Sequence, residues 1–162
     1  TSDDLSAFLE LHAQVHDLHL QHRPDQFKPT EASAIEARFR EWLASSTAKI
    51  WIAELAGKVV GYAVELHVRR PEGPYCPARH WCDIEQIAVD IGHQRQGIAT
   101  ALMQAIVDSA HAAGLREIEL TSWAFNQDAH RAFEAFGFTP KLTRFELKRG
   151  RLEHERQEGG GG

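Results

Sequence analysis

Between Ile84 and Thr100 the chain reads as a strand, a glycine-bearing loop and the start of a helix. Ile84 to Val89 is strand-like. Gly92-His93-Gln94-Arg95-Gln96-Gly97 follows, and Ile98, Leu102, Ala105, Ile106 and Ala110 then recur at helical spacing. Backbone N–H groups in the first turn of a helix lack partners within it, and with the helix dipole they make an anion site. Gly97 lets the backbone approach a bound group, Ala99 is small for the same reason, and Arg95 adds positive charge. The chemistry these residues suit is phosphate binding. The spacing is neither G-x-x-x-x-G-K-S/T nor G-x-G-x-x-G, so the common nucleotide-triphosphate and dinucleotide readings both fail.

Gln94-x-x-Gly97-x-Ala99 resembles the pyrophosphate signature, Q/R-x-x-G-x-G/A, of the GNAT acetyltransferase superfamily. Its setting strengthens the likeness. Ile87-Ala88-Val89 precedes it at the family's distance, and the helix runs Ile98-Ala99-Thr100-Ala101-Leu102-Met103. Downstream, Asn126-x-x-Ala129-x-x-x-Phe133-x-x-x-Gly137-Phe138 is similar to the family's second motif. The likeness covers roughly Lys49 to Leu147, and the front helices fit more loosely. It implies acetyl-coenzyme A as co-substrate, with no metal. By the same resemblance the backbone of Ile87 and Val89 bonds the pantetheine arm as a pseudo-strand. Gln94, Arg95, Gln96, Gly97, Ile98, Ala99 and Thr100 offer N–H groups to the pyrophosphate. Asn126 reaches the pantetheine or thioester end and also caps its helix, and Phe133 lines the cofactor channel. Two features depart from the family. The family usually opens with a short strand before its first helix, whereas this sequence starts at the helix cap, so that strand is either absent or precedes the given residues, and Phe133 stands where the family commonly has a tyrosine that protonates the leaving thiolate.

The implied reaction is N-acetylation, in which a primary amine of a small molecule or peptide attacks a thioester. A protonated amine has no lone pair, so a base is needed. Residues two apart on a strand share a face, so Asp83, Glu85, Ile87 and Val89 are expected to point one way, provided no bulge intervenes. Glu85 is the first candidate base and Asp83 the second. A carboxylate near its usual pKa of about 4.3 needs a water relay or a raised pKa. The segment His19 to Phe27 is expected to form one wall of the acceptor pocket, as the equivalent loop does in the family. The alternative is a non-catalytic acyl-coenzyme A sensor on the same fold, and Phe133 is the feature that favours it.

These groups need elements to hold them. One helix is expected from Ser2 or Asp3, with Leu5, Phe8, Leu9, His12, Val15, Leu18 and His19 near one face, ending by Arg23-Pro24. A second is capped by Thr30, with Ile35, Phe39, Trp42 and Leu43 inward. Lys49 to Leu55 and Lys58 to Val68 read as a hairpin about Ala56-Gly57. Trp81 to Val89 is the next strand, followed by the helix to Ala113, a strand Arg116 to Trp123, a short helix capped by Asn126, and a strand or hairpin from Phe138 to Leu147. This order gives an α+β fold with a mixed, mostly antiparallel sheet flanked by helices and lacking the family's first edge strand. Residues 1–148 read as one domain and 149–162 as a charged, glycine-ending tail.

The bulk numbers narrow the function classes. The formal charge of −5 argues against a nucleic-acid partner and weakly favours a cationic substrate. No apolar run approaches the roughly 18 residues of a membrane span. Two cysteines outside any C-x-x-C pair indicate neither a disulfide framework nor a zinc site, and a cytoplasmic home is the simplest expectation. His12, His16, His19 and His22 are read as solvated or packed, since no carboxylate or cysteine spacing completes a metal site. A homodimer is one assembly open to such a chain.

Overall fold

The structure, a computed structural model, describes residues 4–148. The helix caps expected at Ser2 and Asp3 and the tail 149–162 lie outside the described residues. Helices α1 (Leu5–His22) and α2 (Ala32–Ala44) lead into strands β1 (Ala48–Leu55), β2 (Lys58–Arg70) and β3 (Arg79–Val89). A 3-10 turn at Ile91–His93, helix α3 (Ile98–Ala112), strand β4 (Ile118–Leu120) and helix α4 (Gln127–Phe136) complete the order. Among the described residues no strand precedes α1. The sheet runs β1-β2-β3-β4, antiparallel except for the parallel β3–β4 pair. The β1–β2 hairpin closes at Ala56 and Gly57, both with positive φ, as a tight two-residue hairpin turn demands.

Each face of the sheet has its own core. On one side Phe8 and Leu11 of α1 and Phe39 and Trp42 of α2 bury against Tyr62, Val64 and Ala88. The Phe8 ring lies 4.6 Å from Phe39 and 4.5 Å from Tyr62, and each such side chain contributes about 1.5–3 kcal/mol by burial. Leu11, absent from the expected face, is core, whereas Leu18 and Leu43 are exposed. On the other side Leu102, Met103, Ile106 and Ala110 of α3 cover Ala63, Cys82 and Ile84. Glu65 is fully buried there, and its carboxylate accepts from Trp51 Nε1 (2.8 Å) and Ser109 Oγ (2.9 Å) and meets His67 Nε2 (2.7 Å). A buried carboxylate is tolerated only with partners of this kind.

Three expectations are corrected. Thr30 does not cap α2. Its hydroxyl bonds Lys28 O and His16, and Glu31 takes the cap position. Strand β4 spans three residues rather than eight. Phe138 to Leu147 forms no strand or hairpin, because Pro140 lacks a ladder donor and Leu142, Phe145 and Leu147 are 75–90% exposed. That segment is tied down by ion pairs instead, Lys141 to Glu119, Glu146 to Arg23 (3.0 Å) and Lys148 to Asp25 (2.7 Å).

Helix α3 and the sheet meet closely at Gly61. A Cβ there would lie 2.9 Å from the Ala88 carbonyl oxygen and 3.1 Å from Ile98 Cγ2. The first of these is backbone and cannot swing away. Gly61→Ala is therefore expected to destabilise the fold by about 1–3 kcal/mol, read as a lower urea midpoint at unchanged slope.

Candidate functional site

The site begins where β3 loses a neighbour. β4 pairs with Cys82, Asp83 and Ile84 and ends at Leu120, so beyond Ile84 that edge of β3 has no strand beside it. On its other edge β3 stays paired with β2 through Val64–Gln86 to Gly61–Val89, and Asp90 N–H donates to Val60 O at 2.9 Å. Backbone groups alternate sides along an antiparallel pair. Asp90, Ala88 and Gln86 thus face β2, and the N–H and C=O of Ile87 and Val89 face the open edge.

That edge leads into the loop. Asp90 ties it down, with Oδ1 accepting from Gly92 N–H (3.0 Å) and meeting His93 Nδ1 (2.8 Å). Gln14 of α1 clamps the same point, donating to Asp90 Oδ2 and accepting from Ile91 N–H, both at 3.1 Å. His93 and the other donors hold the Asp90 carboxyl down at about 2, so the clamp is ionised at neutral pH. Arg95 and Gly97 then adopt left-handed φ of 59° and 81°. Gly97 caps α3 without a side-chain bond, leaving the first-turn N–H groups of Ile98, Ala99 and Thr100 directed out of the helix end. A bend of this kind with an uncapped helix start is a concave anion seat.

The carboxylates are placed differently from the expectation that Asp83, Glu85, Ile87 and Val89 share a face. Pairing jumps from Val64–Gln86 to Glu65–Ile84, so Glu85 is the extra residue of a β-bulge. Before the bulge Cys82 and Ile84 pack under α3, and after it Ile87 and Val89 do. Asp83 is turned to the α1/α2 face, and Glu85 reaches Arg38 of α2 at 3.7 Å. The bulge therefore separates the carboxylates from the side chains of Ile87 and Val89, and it sits where the open edge begins. Burial, and then the nearby Glu85 and Glu119, push the Asp83 carboxyl above its ordinary value.

Around these lie groups that sequence reasoning missed. Gln86 takes a hydrogen bond from Tyr62 Oη (2.9 Å) and lies 3.3 Å from His12 Nδ1. A cleft of about 160 Å³ between α1 and α2 is lined by His12, Thr30, Arg38 and apolar neighbours. Phe27 of the expected wall stacks on His19 (5.0 Å) and meets Trp123 (5.6 Å), while Phe125 stacks on His22 (4.5 Å). Trp123 and Phe125 follow β4 directly, so the α1–α2 loop and the post-β4 segment form one aromatic wall. Asn126 Oδ1 accepts from Ala129 N–H (3.4 Å), capping α4, and Phe133 packs against the α3-side core beside Phe138. Among the described residues no three His, Cys, Asp or Glu side chains gather as a metal would require, and no helix is long and apolar enough to cross a membrane.

An open-edged, bulged strand thus feeds an uncapped helix through a left-handed glycine. Residues 13–138 match the acetyltransferase (GNAT) family, and the chain belongs to that family. Among curated proteins it is 26% identical over 99 residues to N-acetyltransferase family 8 member 3 of Rattus norvegicus, covering 61% of this chain and 42% of that one. It is 32% identical over 88 residues to the probable N-acetyltransferase family 8 member 5 of Mus musculus, covering 54% and 37%. The match thus spans about two fifths of these relatives' length. Among solved structures, a tetramutant of the BH1408 protein from Bacillus halodurans superposes with a TM-score of 0.87 at 26% identity, over 91% of this chain and 96% of that one. An aminoglycoside N-acetyltransferase, AAC(6')-Iy in complex with CoA, shares the fold with a TM-score of 0.73 at 21% identity, over 92% and 91%.

Proposed function

We propose that the protein transfers an acetyl group from acetyl-coenzyme A to a primary amine of a small molecule or peptide. The observation that carries this reading is the continuous run of outward backbone donors and acceptors, from Ile87 and Val89 on the open edge to the uncapped N–H groups at Gly97–Thr100. An extended thiol arm ending in a pyrophosphate matches that run in order, with the arm on the strand and the anion at the helix. Gln94, Arg95 and Gln96 line the bend, and Asn126 and Phe133 flank the arm from α4. The reacting carbonyl then lies near the bulge, close to Asp83 and Glu85.

The chain's own groups do the following. Asp83 and Glu85 attract the ammonium and accept its first proton, through water where the reach is long. The freed lone pair attacks the thioester carbonyl, the C–S bond breaks, and the electron pair leaves on sulfur. The relatives named as N-acetyltransferases support the amine as nucleophile. The test is release of free thiol from acetyl-coenzyme A against a panel of polyamines, aminoglycosides, amino acids and peptides. Acceptor-dependent thiol release is expected, and none across the panel, with coenzyme A bound, would favour the second reading.

That second reading, an acyl-coenzyme A sensor, rests on Phe133, which cannot protonate a thiolate. A thiol with a pKa near 8.5 leaves tolerably without an acid, so the phenylalanine slows the step rather than forbidding it. Phe133→Tyr is expected to raise kcat by about tenfold or more if its hydroxyl reaches the sulfur, most at high pH with a weak acceptor. A folded variant showing no gain at any pH would assign the proton to another donor. Tyr75 and water are then the candidates, because burial raises the Tyr62 hydroxyl pKa and makes it a poor acid.

A further inference from the structure

Acylating an ammonium removes two protons from its nitrogen, because the reactant carries three hydrogens and the amide one. Asp83 and Glu85 provide one station for them. A second lies one residue along β3 from Glu85, where His12 meets Gln86. His12 of α1 places Nδ1 3.3 Å from Gln86 Oε1 and 3.2 Å from Tyr62 Oη, while Tyr62 Oη donates to the same Gln86 oxygen at 2.9 Å. An amide oxygen only accepts, so a hydrogen bond here has Nδ1–H as its donor, and in a neutral ring that leaves the lone pair on Nε2. His12 also lines the cleft with Arg38, whose guanidinium reaches Glu85 at 3.7 Å. Gln86, the residue that fixes the ring, lies between the bulge at Glu85 and the open-edge residue Ile87.

We propose that His12 Nε2 is a second catalytic base, taking the proton released from the acceptor nitrogen as the tetrahedral adduct collapses. The inference rests on the acyltransferase reading. Once the amine has attacked, the adduct nitrogen is positive and bears two hydrogens. His12 Nε2 takes one, the nitrogen lone pair becomes the amide's, the C–S bond breaks, and the thiolate takes a proton from solvent. His12 and the carboxylate return theirs to solvent, leaving amide, free thiol and one net proton. Several groups face His12. These are His16 (stacked at 6.2 Å) and His19 on its own helix, Arg38 on α2, Tyr62 on β2 and Gln86 on β3. Burial foremost, and then His16 and His19, hold it below 6.5 against the opposing bond from Gln86.

The test uses the full chain with acetyl-coenzyme A and three probe amines, spermidine, tobramycin and a peptide with a free N-terminus. His12→Asn keeps a donor for Gln86 and removes the basic nitrogen. It is expected to lower kcat about 10²-fold with KM for acetyl-coenzyme A unchanged. The acid limb of kcat/KM, expected below 6.5 in the wild type, should move lower in the variant. Unchanged kcat and an unchanged limb overturn the proposal while leaving the acyltransferase reading intact. A wild type that binds coenzyme A but releases no thiol with any probe sinks that reading and the role of His12 with it. Should His12→Asn fail to fold, nitrogen NMR of the wild type decides. A neutral ring protonated at Nδ1 at neutral pH is expected, and an imidazolium or the opposite tautomer overturns the inference.

Discussion

Gly97→Glu is expected to weaken coenzyme A binding at least about tenfold, about 1.4 kcal/mol, by calorimetry. Two effects act together. Gly97 holds a left-handed φ of 81°, which a side chain strains even though open space surrounds its Cβ position. The glutamate then places a negative charge among N–H groups arranged for an anion. Gly97→Ala separates the two, since it keeps the backbone strain and omits the charge. It should cost stability with a smaller loss of affinity. A folded Gly97→Glu protein with unchanged affinity would remove the pyrophosphate from this loop.

The second large effect concerns the carboxylates. Asp83→Asn and Glu85→Gln are each expected to lower kcat by about 10²-fold, with KM for acetyl-coenzyme A near normal. Burial foremost raises the Asp83 carboxyl above its ordinary value, the direction that strengthens it as a base. The same shift fixes the sign of a stability effect. A carboxyl raised in the folded state favours folding most below its unfolded pKa, and that contribution is lost as pH rises through the folded value. At neutral pH ionised Asp83 is therefore a liability, and Asp83→Asn should raise Tm there while lowering activity. The gain should vanish as pH falls toward the ordinary value of 3.8. A drop in both Tm and kcat at neutral pH would mean that Asp83 is structural. Full rate in both variants would mean that bulk water deprotonates the amine.

Much of this site is legible in the chain because its parts have chemical reasons to be local. A phosphate seat needs a residue tolerant of positive φ and a small residue just inside a helix, and Gly97 and Ala99 stand at those positions. The bulge was illegible to strict alternation, which put Asp83, Glu85, Ile87 and Val89 on one face. Yet a signal existed, since the buried pair Cys82 and Ile84 is out of phase with Ile87 and Val89, and only an extra residue between them keeps all four under α3. The cluster of His12, Tyr62 and Gln86 joins three elements separated by 24 to 74 positions, so no local pattern marks it. The strand expected at Phe138 to Leu147 failed for the converse reason. Its apolar residues suggest a strand, but β4 ends at Leu120 and gives that segment no ladder to join.

The most direct test of the account is a map of backbone amide shifts on adding coenzyme A to isotopically labelled protein. The expected pattern joins Ile87 and Val89 to Gln94–Thr100 and Asn126, and leaves β1 and α2 undisturbed. Shifts confined to other surfaces, or none at saturating coenzyme A, would contradict it.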